Sequence, residues 1–131
     1  MQYMILIYGD EKGFANLSEE EMGKAYGEYM GYNQALAQAK VLVGGASLQP
    51  TATATTVRVK GGKPTTTDGP FAETKEQLGG YYLLECKDLD EAIEWAAKIP
   101  GAKYGSIEVR PIMEFNEDGT PKLGAESAAS A

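Results

Sequence analysis

The sequence predicts one α+β domain of β-α-β-β-α-β order, and three observations carry that expectation. Strand-like stretches, alternating or β-branched, are interrupted twice by stretches with helical spacing. Each helical stretch opens on a capping box, Ser18-Glu-Glu-Glu21 in one case and Asp88-Leu-Asp-Glu91 in the other. The first strand is apolar on both sides, with Tyr3, Ile5 and Ile7 alternating against Met4, Leu6 and Tyr8. A strand of that kind needs cover on both faces.

Taken in order, residues 2–9 read as the first strand and residues 10–17 as a loop. From Ser18, Met22, Tyr26, Tyr29, Asn33, Leu36 and Lys40 recur at helical spacing, widened by Ala25 and Met30. Residues 41–49 form a second strand with a bend or bulge at Gly44-Gly45. Residues 53–60 form a third, with Thr55, Val57 and Val59 against Thr56, Arg58 and Lys60. Gly61-Gly62-Lys63-Pro64 is a turn, and residues 65–76 a long connection without a clean period. Gly79-Gly80 opens a fourth strand over residues 81–86. The second helix places Leu89, Ala92, Ile93 and Ala96 inward and ends at Ile99, before Pro100-Gly101. Residues 105–115 alternate as the last strand, with Ile107, Val109 and Met113 against Glu108, Arg110 and Ile112. This is the order of a ferredoxin-like antiparallel sheet with two helices on one face. Its other face is too apolar to stay wet, so a homodimer closed into an α+β barrel is expected. The monomeric alternative folds residues 65–76 over that face. The domain is drawn at residues 1–115, with a flexible tail over 116–131.

Composition removes several function classes. The net charge of −7, with no Lys/Arg cluster, argues against direct binding of nucleic acid or an anionic membrane surface. No apolar run approaches the roughly 20 residues of a membrane span, and the N-terminus reads as a strand instead of a signal peptide. One cysteine, Cys86, allows no internal disulfide and fits a cytoplasmic setting. There is no histidine. Ser-His and Cys-His nucleophile pairs are therefore absent, and no His/Cys metal site is expected. Any acid–base chemistry falls to Asp, Glu, Lys or Tyr, and no cofactor motif is present.

Asp68-Gly-Pro-Phe-Ala-Glu-Thr-Lys-Glu76, followed by Gly79-Gly80-Tyr81, resembles the signature of the YCII-related, or DGPF, domain family. The resemblance runs from Met1 to about Phe115 and implies a dimeric α+β barrel of ferredoxin-like subunits. Most members have no assigned reaction. Some are credited with a His-Asp pair in a cleft, and one branch performs a dehalogenation-type elimination on an aromatic ring. Without histidine, that machinery does not carry over. Genes of the DGPF branch often lie beside alternative sigma factors, which implies a regulatory setting.

Asp68 is the first candidate for chemistry. Asp-Gly-Pro fixes a carboxylate in a turn ahead of Phe71, a ring able to shield it from water and let it act as a base. Its bland counterpart is an Asx-turn or cap. Arg58 and Arg110, the only arginines, alternate opposite their strands' apolar sets and so point to the barrel interior or its mouth, where they suit a small anionic ligand. Pairing with Glu85, Glu108 or Glu73 is their structural alternative. Glu73 is a second carboxylate near Asp68. Tyr8 ends the first strand as a donor to a ligand oxygen, or packs in the core. The resulting expectation is a dimer that binds a small anionic or aromatic molecule, either as a cofactor-free lyase or isomerase or as a ligand sensor beside a sigma factor. Whether it is an enzyme stays open.

Overall fold

A computed structural model describes residues 1–122. Its centre is a four-stranded sheet in the order β2-β5-β1-β6, with every neighbouring pair antiparallel. The strands are β1 (Gln2–Gly9), β2 (Leu42–Ser47), β5 (Gln77–Glu85) and β6 (Ser106–Pro111). Helix α2 (Glu19–Gln38) joins β1 to β2, and α3 (Leu89–Ala97) joins β5 to β6. The expected ferredoxin-like sheet with its two main helices on one face is therefore present.

Both helices begin where the capping residues indicated. Ser18 Oγ accepts from Glu21 N–H while Glu21 Oε1 accepts from Ser18 N–H. Asp88 likewise accepts from Glu91 N–H, while Glu91 Oε1 accepts from Lys87 N–H in place of the cap's own. Satisfying the first orphan donors of a helix contributes about 1 kcal/mol each. A short α1 (Glu11–Ala15), capped by Asp10, lies in the stretch read as a loop; five residues are too few to show a period.

The inward positions read in the sequence hold at Leu36 of α2 and at Ala92 and Ala96 of α3, and fail at their neighbours. In α2 the buried residues are Tyr32 and Leu36, whereas Tyr26 and Met30 stand in solvent. In α3, Ala92 and Ala96 are buried, with Trp95 packed against the core, while Leu89 and Ile93 are exposed. Tyrosine and tryptophan carry both an apolar ring and a polar handle, so the ring that finds a hydrogen-bond partner goes inside. Tyr32 does so, donating to Trp95 O at 2.9 Å.

The helices bury Tyr3, Ile5 and Leu84, all 0 % exposed, together with Leu36, Val41, Cys86 and Ile99. Full burial of an aliphatic side chain such as Leu36 stabilises by about 2–3 kcal/mol. The Cys86 thiol is free and buried here, which pushes its pKa up to about 11.

The main departure lies between β2 and β5. Strand β3 (Thr55–Lys60) does not join the central sheet. It pairs with β4 (Lys63–Asp68), a strand where the sequence suggested the start of an irregular connection. The cause is the turn. Gly61 and Gly62 have φ of 57° and 79°, the left-handed pair that a two-residue hairpin of matching twist requires. Thr65-Thr66-Thr67 then supplies β propensity without apolar alternation, so no period was visible. Strand β5 starts earlier than expected, at Gln77, and its register against β1 shifts between Ile7 and Tyr8, with Gly79 left over. Strand β6 stops at Pro111, so Met113 leaves the alternation and is 60 % exposed. Across the expected boundary at 115/116, β7 (Glu114–Phe115) pairs with β8 (Pro121–Lys122). Gly124 to Ala131, read as a frayed tail, lies outside the described residues.

Candidate functional site

Strand register sorts the sheet's side chains by face. Tyr3, Ile5 and Ile7 share the helix side with Leu84, Tyr82 and Val109. On the other side Met4 stands opposite Leu83 and Arg110, Leu6 opposite Tyr81 and Glu108, and Tyr8 opposite Leu78 and Ser106. None of these open-face residues belongs to the core cluster or packs against it. Met4, Leu6, Tyr8, Leu78, Tyr81 and Leu83 are all partly exposed. The result is an apolar floor flanked along β6 by a charged pair.

That pair is Arg110 and Glu108, with Nε and Oε1 3.0 Å apart. Glu108 Oε1 is enclosed and receives no hydrogen bond, while Oε2 takes a long one of 3.5 Å from Arg110 Nη2. The guanidinium keeps 68 % of its side chain exposed, so most of its donors remain available to a ligand. Gly105 sets the start of β6: a Cβ there would lie 2.0 Å from Tyr8 O. Close backbone approach at that point brings Tyr8 beside Ser106.

A polar network closes the same end of the sheet. Ser106 Oγ donates to Glu76 Oε1 at 2.7 Å. Glu11 N–H donates to Gln77 Oε1 at 3.0 Å, and Gln77 Nε2 donates to Thr74 O at 2.6 Å. The Glu11 carboxylate accepts from both the N–H and the hydroxyl of Thr51, each at 2.8 Å. Helix α1, the turn after β2 and the end of the motif loop are thus stitched together. Sequence reading missed Glu11, Thr51, Gln77 and Ser106, because the partners stand 30 to 66 residues apart and no local spacing links them.

The predicted site residues fall into two groups. Tyr8 and Arg110 lie on the open face, Arg110 paired to Glu108 as one of its alternatives anticipated. Arg58, Asp68, Phe71 and Glu73 lie on the β3–β4 hairpin and the loop after it. Arg58 sits on the hairpin, exposed, opposite Thr65, and does not face the sheet's interior side within the chain. The cause is the hairpin turn that removes β3 from the sheet. Asp68 ends β4 opposite Thr55, exposed. Among the described residues its carboxylate has neither the Asx-type bond nor an ion pair, and the same is true of the Arg58 and Glu73 side chains. Phe71 is 79 % exposed, so within one chain it does not shield Asp68.

A groove of about 430 Å³ runs elsewhere, between α2 and α3, lined by residues including Tyr32, Trp95, Lys98 and Lys103. The Tyr32 hydroxyl there donates to Trp95 O and Lys98 Nζ lies 5.0 Å above the Trp95 ring, while Glu28 and Lys103 also line the groove. None of the predicted site residues lines it. Among the described residues no group of three or more Cys, Asp or Glu is placed to hold a metal ion. Nor is any helix there long and apolar enough to cross a membrane.

Sheet order, helix placement and open face together define an α+β protein of ferredoxin-like subunit fold. The chain belongs to the YCII-related domain family, whose model matches residues 1–116. An uncharacterised protein of Rhizobium meliloti (strain 1021) is 38 % identical over 123 residues, spanning 92 % of this chain and 99 % of the relative. Among solved structures, 5-chloro-2-hydroxyhydroquinone dehydrochlorinase from Burkholderia phenoliruptrix AC1100, in complex with 2,5-dihydroxybenzoquinone, aligns with a TM-score of 0.50 at 14 % identity. That match covers 91 % of this chain and 99 % of the other, and it establishes likeness of fold alone.

Proposed function

We propose that this chain is a small-molecule-binding homodimer that takes an anionic or aromatic molecule at its open sheet face. A cofactor-free lyase or isomerase reaction is the activity to seek there. The observation that carries the reading is Arg110, an exposed guanidinium held beside Glu108 at the edge of a floor made by Met4, Leu6 and Tyr81. Flat apolar residues accept a ring, and a planar guanidinium accepts its oxyanion or carboxylate. Tyr8 lies at the end of the same face and supplies a hydroxyl. Asp68, with Glu73 and Phe71 beyond it, is the proposed base, because its carboxylate is exposed and makes no hydrogen bond or ion pair among the described residues, which leaves it available to a ligand. Arg58 is a second proposed anion contact.

Pairing of two open faces would remove the wet apolar surface and enclose the floor. A reducing, cytoplasmic setting belongs to this reading and is supported by the free, buried Cys86. No observation favours the sigma-factor-linked sensor that family context suggested, and it is not carried further.

The test is saturable binding of 2,5-dihydroxybenzoquinone and of a panel of hydroxylated ring carboxylates, followed by calorimetry and thermal midpoint. The reading expects at least one to bind with a rise in midpoint, and Arg110→Ala to weaken it at least tenfold. Absence of binding across the panel, or binding indifferent to Arg110, would count against it.

A further inference from the structure

The β3–β4 hairpin stands off the body as an arm, and it carries two of the proposed ligand contacts, Arg58 and Asp68. Its ladder runs from Thr55 opposite Asp68 to Lys60 opposite Lys63. The bonds at its root, Gly69 N–H to Ala54 O at 2.7 Å and Thr56 Oγ1 to Gly69 O at 2.8 Å, are internal to it. None of its residues joins the core cluster. Where the arm points is therefore decided by the two legs that join it to the sheet.

Both legs lead to one residue. The first leaves the sheet at Leu48, whose N–H donates to Gly79 O at 2.8 Å, and passes through a 3-10 turn at Thr51–Thr53. Ala54 N–H closes that turn onto Thr51 O at 3.0 Å, so Thr51, Ala54 and Gly69 form a continuous bonded track into the arm. Thr51 is held from outside by Glu11, whose Oε1 accepts from its N–H and whose Oε2 accepts from its hydroxyl, each at 2.8 Å. Among the described residues, no other hydrogen bond or ion pair ties residues 49–69 to the rest of the chain. The second leg is the motif loop. Glu11 N–H donates to Gln77 Oε1, and Gln77 Nε2 donates to Thr74 O. Residues 70–73 make no hydrogen bond among the described residues, so this leg restrains the arm less than the first.

Glu11 thus grips one leg with its carboxylate and the other with its backbone. Two bonds to one carboxylate fix direction as well as distance, and charge-assisted bonds are roughly twice as strong as neutral ones. The side chain is partly buried, which strengthens them further. Glu11 opens α1 three residues after Tyr8, so the clasp is referenced to the end of β1 where Tyr8 stands.

We infer that Glu11 is the positioning residue of the arm: its clasp on Thr51 holds Arg58 and Asp68 in a fixed orientation to Tyr8 and the open sheet face. Without the clasp the arm swings about Leu48 on one side and residues 70–73 on the other. The consequence for ligand binding rests on the proposed roles of Arg58 and Asp68. The arm's orientation is measured without a ligand, so the clasp and those roles fail separately.

Residual dipolar couplings of the backbone N–H groups in the full chain test it, because they report orientation relative to the sheet instead of stability. In wild type the couplings over residues 55–68 should fit the alignment frame of β1, β5 and β6. In Glu11→Ala they should shrink by about twofold or more while those of the sheet hold. Glu11→Gln keeps an acceptor for Thr51 N–H and a donor for its hydroxyl oxygen, and should restore most of the wild-type values. Alanine-variant couplings equal to wild type, or a wild-type arm already averaged, overturn the clasp. A glutamine variant as free as the alanine one overturns bonding to Thr51 as its cause. Couplings that shrink equally through β1, β5 and β6 overturn it as well, since Glu11 would then serve general stability.

Discussion

Glu108 and Arg110, two residues apart on β6, point to the same side of the sheet and hold each other across 3.0 Å on the face turned away from the core. Two-residue spacing on a strand puts both on one face, and pairing to β1 sets Leu6 and Met4 next to them. The pair is partly exposed, so within one chain it contributes only about 0–1 kcal/mol. Its position, at the border of an apolar floor, is what gives it a use.

Arg110→Lys separates recognition from folding. Lysine keeps the charge and loses the planar fork. Urea unfolding should change by less than about 0.5 kcal/mol, while affinity for an anionic ring ligand drops at least tenfold. Equal affinity in the lysine variant would show that charge alone suffices and that the fork has no role.

Asp68→Ala tests the motif carboxylate. Because Asp68 makes no hydrogen bond or ion pair within the described chain, its loss should leave stability within about 0.5 kcal/mol of wild type at fixed protein concentration. A cost of about 1–2 kcal/mol would assign it to a cap or to a contact across the dimer. Turnover of any substrate found for this protein should fall steeply in the same variant.

Gly105→Ala should destabilise. The added Cβ meets Tyr8 O at 2.0 Å, backbone that moves only with the β1–β6 pairing. The expected cost is on the order of 1–3 kcal/mol by urea denaturation. A neutral result would mean that β6 starts elsewhere and that Tyr8 and Ser106 are not neighbours.

Stability should decline in alkali. Burial raises the Cys86 thiol from 9.0 to about 11 and the Tyr82 phenol from 10.0 to about 12, and it raises Tyr29 and Tyr32 as well. Each group is held neutral in the folded state, so its contribution is complete below the unfolded pKa and is lost as pH rises toward the folded one. Urea midpoints should be level to about pH 8, then fall from pH 9 to pH 11, with Cys86→Ala flattening the first part of the decline. A midpoint unchanged up to pH 11 would contradict the burial of these groups.

What the sequence disclosed follows from range. Ser18 with Glu21, and Asp88 with Glu91, are contacts three residues apart, and both helix starts could be read from them. The two-sided apolar pattern of β1 foretold an uncovered face, because strand alternation is itself local. The DGPF motif pointed to the family that the comparisons then showed. Beyond that range the reading weakened. Thr65-Thr66-Thr67 has β propensity but no apolar period, so β4 stayed hidden, and with it the arm that takes Arg58 off the sheet. The Glu11–Thr51–Gln77 network joins elements far apart in sequence. In α2, Tyr26 and Tyr32 are alike in composition, and only the Trp95 carbonyl, 63 residues on from Tyr32, decides which goes inside.

The homodimer through the open sheet face is the central claim, and sedimentation velocity of wild type and Leu6→Asp over a wide concentration range tests it most directly. The account predicts a wild-type particle of twice the 14.0 kDa chain mass, and a folded Leu6→Asp monomer, since a carboxylate in the middle of that face cannot be buried against a second copy. A monomeric wild type, or a Leu6→Asp dimer as tight as wild type, would contradict it.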